Sequence, residues 1–257
     1  MRNNGFTLLE LSIVIVIIGL IVAGISAGQS LVKSAQARSV ISESEQYKVA
    51  LNTFRLQYGH NNLPGDFDQA NSYWPGCGNG AAAVDCNGDG DSLISRGSTA
   101  DDFEQLRAWQ HLSLAGLIDG SYAGGGTTDN SQWDETYIPH SANNKSRWTL
   151  STQRDRYSFN GAALTFRKEH LSLSLAAKSP ETNLAATLTV QEAFNLDKKV
   201  DDGVANTGKL FGLDGSFPDP AAGSCSAADN SVGGADYNTT SLSDDTAYCR
   251  MQFWLLR

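Results

Sequence analysis

The chain reads as an α+β protein in which one long N-terminal helix packs on an antiparallel sheet. Three observations predict it. Leu11–Val32 is a run of 22 residues without a charge, and ~20 apolar residues at helical rise cross a bilayer core. From Lys33 onward polarity rises while the helical period persists. Val40, Ser44, Tyr47, Leu51, Phe54 and Tyr58 step by four and three, one stripe of an amphipathic helix. Beyond residue 146, several short segments show partial alternation with period two, the pattern of half-buried strands.

Each element follows in order. The first helix runs from Phe6 to Tyr58, where Gly59 ends it and Pro64 confirms the break. At helical rise that is ~80 Å, half in a membrane and half against a globular head. A plain anchor followed by a linker would not keep the aromatic stripe. Residues 60–98 are turn-rich. Ser98–Leu117 is predicted as a second helix, with Phe103, Leu106, Trp109, Leu112 and Leu117 on one face and Asp101 and Asp102 in the favourable first turn. Residues 119–145 read as loop. Arg147–Leu150, Arg156–Phe159, Leu164–Arg167 and Leu171–Leu175 read as strands of one antiparallel sheet. Thr189-Val190-Gln191-Glu192 matches a capping box opening a short helix to about Leu196. A Gly-, Ser- and Asp-rich stretch, Asp201–Asp245, reads as loop, and Ala247–Leu255 as a closing strand. The chain shows no internal repeat.

Composition narrows the function. The net charge of −9 argues against nucleic acid as a partner, because that needs a basic face. The 25 glycines, with many Asn, Asp and Ser residues, fit a loop-rich exported domain. The four cysteines, Cys77, Cys86, Cys225 and Cys249, form no C-x-x-C pair, so a structural zinc is not expected. An even count beyond an apolar helix suits an oxidising compartment. Proximity favours Cys77–Cys86 and Cys225–Cys249 among the three formal connectivities.

The N-terminus carries the most specific signal. A short basic head, Met1-Arg2-Asn3-Asn4, precedes Gly5-Phe6-Thr7-Leu8-Leu9-Glu10 and the apolar run. An ordinary secretory signal ends in a small-residue cleavage site after its apolar region. Here no Ala-x-Ala ends the run cleanly, and the natural cut lies before it, at Gly5. The arrangement resembles the class III leader of type IV pilins and type II secretion pseudopilins, with Gly5 at the cleavage site, Phe6 as the new N-methylated terminus, and Glu10 as the family's acid. The resemblance covers roughly the first 60 residues closely, and beyond them it is architectural. It implies a leader at 1–5, a transmembrane and assembly helix at 6–32, and an amphipathic helix with a pilin-like head at 33–257. Losing residues 1–5 removes Arg2, taking the net charge of −9 to −10. The implied partners are prepilin peptidase, identical or related pilin subunits and an inner-membrane assembly platform. The implied location is the inner membrane with the head in the periplasm, then a pseudopilus or surface filament.

A carboxylate near hydrocarbon costs roughly 2.5–3.5 kcal/mol even on the lenient insertion scale. In the family, the Glu10 acid meets the terminal amine of a neighbouring subunit. A local alternative is that Glu10 favours its own helix N-terminus and snorkels to the interface. Gly24-Ile25-Ser26-Ala27-Gly28 matches both a hydrolase elbow and a small-residue helix face. An elbow needs a strand–turn–helix, so the close-packing reading of Gly24 and Gly28 is preferred. Pilins of this type commonly have proline near Ala27, and the two glycines can supply the same local weakness. The family's tip-capping subunit usually lacks the acid, which disfavours that role. The long head points to a minor or specialised subunit.

Two acidic stretches are metal candidates. Asp85, Asn87, Asp89 and Asp91 alternate around Gly90 like the first half of a calcium loop. The twelfth place is Arg96, so a carboxylate from elsewhere, Asp101 or Asp102, would have to complete it. The alternative is an Asn/Asp/Gly turn without metal. Asp197, Asp201 and Asp202 form the weaker cluster; major pseudopilins carry calcium in a C-terminal loop. His60, His111, His140 and His170 show no metal spacing, and His111 is expected at the surface or half-buried. Trp109 and Trp254 are expected in the core rather than in a sugar site. No catalytic constellation stands out, so an enzyme is not expected. The expected function is a structural subunit of a type IV pilus-like filament or type II secretion pseudopilus. The alternative is a membrane-tethered or filament-borne adhesin.

Overall fold

A computed structural model describes residues 8–78, 86–95, 104–124, 135–153, 157–159, 162–164, 170–177, 185–215, 225–226 and 236–256. The apolar run and the amphipathic stripe form one helix, α1, Leu8–Tyr58. Its 51 residues span about 77 Å. Gly59, with φ +116°, turns the chain out of it. Along the stripe Val40, Ser44, Leu51 and Phe54 are buried, with Tyr47 and Tyr58 half-buried, and Ala50 joins them. Burying each Leu or Phe side chain contributes about 1.5–3 kcal/mol, so this half of α1 is part of the core.

A single turn, α2, Ala70–Tyr73, precedes α3, Glu104–Leu114. The expected helix from Ser98 to Leu117 is therefore shorter at its C-terminal end. The residues before Glu104, including Asp101, Asp102 and Phe103, lie outside those described. Leu117 N–H donates to the Leu112 carbonyl and Gly116 N–H to that of Ser113, with Gly116 at φ +68°. That is a Schellman stop, and Gly116 was its signal. Helix α4, Val190–Val200, opens on the expected capping box: Glu192 N–H donates to Thr189 Oγ1, and Thr189 N–H to Glu192 Oε2. It runs past Leu196 because Lys198 and Lys199 in its last turn complement the helix dipole.

The strands are β1 Arg147–Gln153, β2 Tyr157–Phe159, β3 Ala162–Leu164, β4 His170–Ala176, β5 Leu210–Asp214 and β6 Cys249–Leu256. One antiparallel sheet has the order β1-β4-β6-β5. The expected single sheet is thus corrected twice. The two middle segments pair only with each other, as a separate hairpin of β2 and β3. In addition β5, read as loop, is an edge strand, with Leu210 opposite Phe253 and Asp214 opposite Cys249. Its first four residues are all buried, so it shows no period-two alternation.

The amphipathic half of α1 lies against α3 and the sheet. The Tyr47 ring meets Trp109 at 5.0 Å and Trp148 at 5.8 Å, both edge-on. Trp109, Trp148, Leu150, Leu173, Leu175 and Met251 fill the centre. Trp254 is half-buried and stacks on Phe211 at 4.2 Å rather than entering that core. Both expected disulfides are present. Cys77–Cys86 closes a short loop, and Cys225–Cys249 ties the segment at 225–226 to β6. With their partners 9 and 24 positions apart in sequence, each closure is worth about 3 kcal/mol in the chain-entropy account.

Candidate functional site

The apolar half of α1 leaves the head uncovered. From Leu8 to Val32 every residue is exposed, and none of its most apolar stretch is buried within the molecule. Glu10 stands exposed in the first described turn. Gly5 and Phe6 lie outside the described residues. A Cβ added at Gly24 or Gly28 would meet nothing within 4 Å, so both glycines face open space. The stretch is unbroken helix, which removes the elbow reading of Ser26.

Glu43 fixes the head on this rod, and the sequence reading missed it. Its Oε2 accepts from Ser141 Oγ at 2.8 Å and from the buried Trp148 indole N–H at 2.8 Å; Oε1 accepts from Ala142 N–H at 2.7 Å. Three donors from two segments converge on one carboxylate, the charge-assisted kind of bond. Its signal was position: Glu43 precedes Tyr47 by four residues on the face that continues to Ala50 and Phe54.

At the far end of α1, α3 presents a buried polar face to the loops. Glu104, Arg107, Gln110 and His111 are all buried. Arg107 Nη1 donates to the Asn87 carbonyl at 2.9 Å and Gln110 Nε2 to that of Cys77 at 2.7 Å. His111 is fully buried, which corrects its expected place near the surface. Gly65 N–H donates to its Nδ1 at 2.9 Å, so the proton sits on Nε2, 2.8 Å from the Cys86 carbonyl. Its ring stacks on Phe54 at 6.3 Å. Burial pushes the His111 pKa down to about 4.

Beside this face, Asp66, Asp89, Asp91 and Glu104 bring one carboxylate oxygen each to within 4.8 Å of one another. Asp89 and Asp91 are thus where the alternating motif placed them. Asp85 lies outside the described residues. Asn87 Oδ1 accepts from Asn71 N–H at 2.9 Å. Asp66 and Glu104 join Asp89 and Asp91, and Asp101 and Asp102 lie outside the described residues. Asp66 and Glu104 are each 2% exposed, whereas Asp89 and Asp91 are open to solvent. Backbone donors shape the cluster: Ser92 N–H to Asp66 Oδ2 at 2.9 Å, Asp91 N–H to Asp89 Oδ1 at 3.0 Å, and Ser95 N–H to Glu104 Oε2 at 2.7 Å. Asp66 Oδ1 is buried without a hydrogen-bond partner. Desolvation first, then Glu104, drives the Asp66 pKa up to about 7. Two glycines permit the approach. Gly65 has φ +93°, and a Cβ there would meet the Glu104 carbonyl oxygen at 2.2 Å; one at Gly88 would meet the Asp66 carbonyl carbon at 2.2 Å.

The second cluster also forms. Asp197, Asp201 and Asp202 converge at the end of α4. Several of their oxygens accept in a turn, while Asp197 Oδ1 is buried without a partner. Val204 N–H and Thr207 Oγ1 donate to Asp202 at 2.9 and 2.6 Å, Lys209 N–H to Asp201 Oδ2, and Tyr237 O–H to Asp197 Oδ2 at 2.9 Å. Asp197 is fully buried, and desolvation raises its pKa to about 7.

These features define a protein with one uncovered apolar helix and an oxidised α+β head clamped to its second half. A family model described as the prokaryotic N-terminal methylation motif matches residues 1–26. The chain therefore carries the prepilin-type signal of type IV pilins and pseudopilins, which marks it as a pilin-like substrate of prepilin peptidase and points to a structural protein. Neither a curated protein nor a solved structure matches the chain.

Proposed function

We propose that this chain is a structural subunit of a type IV pilus-like filament or type II secretion pseudopilus. Prepilin peptidase cuts between Gly5 and Phe6. The apolar half of α1 then holds the subunit in the inner membrane as a single pass with the head in the periplasm. Assembly moves that half from lipid into a bundle of like helices on an inner-membrane platform. The observation that carries this reading is the exposed span Leu8–Val32, continuous with the signal at 1–26 and unable to bury itself on its own head. Gly24 and Gly28 supply a face for close helix packing. Glu10 supplies a partner for the terminal amine of a neighbour, which offsets the cost of each charge in an apolar surround.

The test is made on membrane-extracted protein and on the sheared, pelleted filament fraction. The intact mass should correspond to a chain beginning at Phe6 with one added methyl group, and the chain should pellet with filaments. Glu10→Leu should insert and fold normally yet be depleted from the pellet. A mature chain beginning elsewhere, or Glu10→Leu filaments at normal yield, would overturn this account.

A further inference from the structure

We infer that Asp66, Asp89, Asp91 and Glu104 form a calcium site that locks the membrane-distal end of α1 to the head. The four carboxylates come from three separate segments: the loop after α1, the turn that follows the Cys77–Cys86 bridge, and the first turn of α3. One ligand oxygen from each lies within 4.8 Å of the others, the spacing of donors around a single ion. Clustered acids alone are common on protein surfaces. Here Asp66, 2% exposed, has an Oδ1 with no hydrogen-bond partner; Asp197 Oδ1 in the other cluster is likewise unpartnered, but only three carboxylates gather there against four here. A buried carboxylate oxygen left unpartnered carries a full desolvation cost, and a cation among the other three acids would remove it. Glu104, Asp91 and Asp89 each bring a carboxylate oxygen to within 4.8 Å of that of Asp66. The structure thus concentrates like charge where a divalent cation would neutralise it.

The donor chemistry selects the ion. The clustered ligands are carboxylate oxygens, which suit hard cations and not zinc or copper. They sit on turns of differing geometry, which calcium tolerates better than magnesium with its strict octahedron. Two of the four are solvent-exposed, so the affinity belongs with extracellular modules, whose dissociation constants are about 0.1–1 mM. This site is independent of whether the chain assembles into a filament.

The experiment uses full-length protein in detergent, stripped with chelator. Titration with calcium chloride, read by calorimetry and by thermal melting, should show saturable binding. The melting temperature should rise in about 1 mM calcium, well above the rise in equal magnesium. Asp66→Asn keeps the side-chain shape and should weaken calcium binding at least roughly tenfold. In chelator it should melt at or above wild type, because one repelling charge is gone. Asp91→Asn, at an exposed position, provides a second variant that keeps the fold and should lose affinity likewise. Asp201→Asn, in the other cluster, should leave this response intact. The inference falls if wild type shows no calcium-dependent heat or melting shift. It also falls if Asp66→Asn and Asp91→Asn both keep wild-type affinity, or if only Asp201→Asn abolishes binding.

Discussion

His111 is neutral in the folded head because two backbone groups hold its imidazole in one tautomer and burial opposes a second proton. It protonates only near pH 4, against an ordinary value of 6.5. Between those values the unfolded chain binds more protons, so acidification destabilises the head there. Asp66 and Asp197 act in the opposite sense. Each holds its proton up to about pH 7 when folded, against 3.8 ordinarily. Over that window the folded state binds more protons, and their contribution to stability falls as pH rises. Urea midpoints measured in chelator from pH 4 to 8 should separate the two. Asp66→Asn should remove part of the loss toward neutral pH, and His111→Asn part of the loss toward acid. If either variant steepens the slope it should flatten, its partner network has been misassigned.

At the scale of elements, α1 joins the head through an apolar stripe and one carboxylate, Glu43. Glu43→Gln keeps the volume but replaces one of the two acceptor oxygens by an NH2, which sets donor against donor at either the Trp148 indole or the Ala142 N–H. The expected loss is about 2 kcal/mol, or a melting temperature lower by about 4–8 °C for a domain of this size. A shift below a degree would show that the apolar stripe holds the helix without help from Glu43. Which elements could be read from the sequence follows from the range of the signals. The stripe on α1, the Thr189 cap and the alternation in β1 and β4 are local, so they could be read. Strand β5 could not, because it is buried on both faces and Gly212 lies beneath the Tyr237 ring, where a Cβ would meet Cε1 at 2.5 Å. Nor could the partition of β2 and β3 into their own hairpin, since the pairing partner of a strand is a tertiary choice. The acidic site divides the same way. Asp89 and Asp91 lie in an alternating run, whereas Asp66 and Glu104 reach them only through the fold. For those two the available hints were a Pro-Gly-Asp turn and an acid opening a helix.

In the whole molecule, the head and the anchor are mechanically separate parts of one rod. Buried residues on α1 begin at Val40. The ion pair of Lys33 with Glu192, at 3.9 Å with the lysine end mostly exposed, contributes little. A chain begun at Lys33 and exported to the periplasm should therefore fold, keep both disulfides and its near-ultraviolet circular dichroism, and appear in the aqueous fraction. Loss of the tryptophan signal on truncation would mean that the apolar half supports the core after all.

The uncovered half of α1 also constrains supply. On the function proposed above, a rod that its own head leaves uncovered has two hosts, lipid and other rods of its kind. The free subunit thus has a vanishing concentration in water, and no bulk pool from which a polymer could grow at a distant end. Any fibre built from it must draw on a two-dimensional reservoir. Its growth rate then scales with subunits per unit area of membrane, and elongation stops when that sheet is depleted, whatever the volume around it.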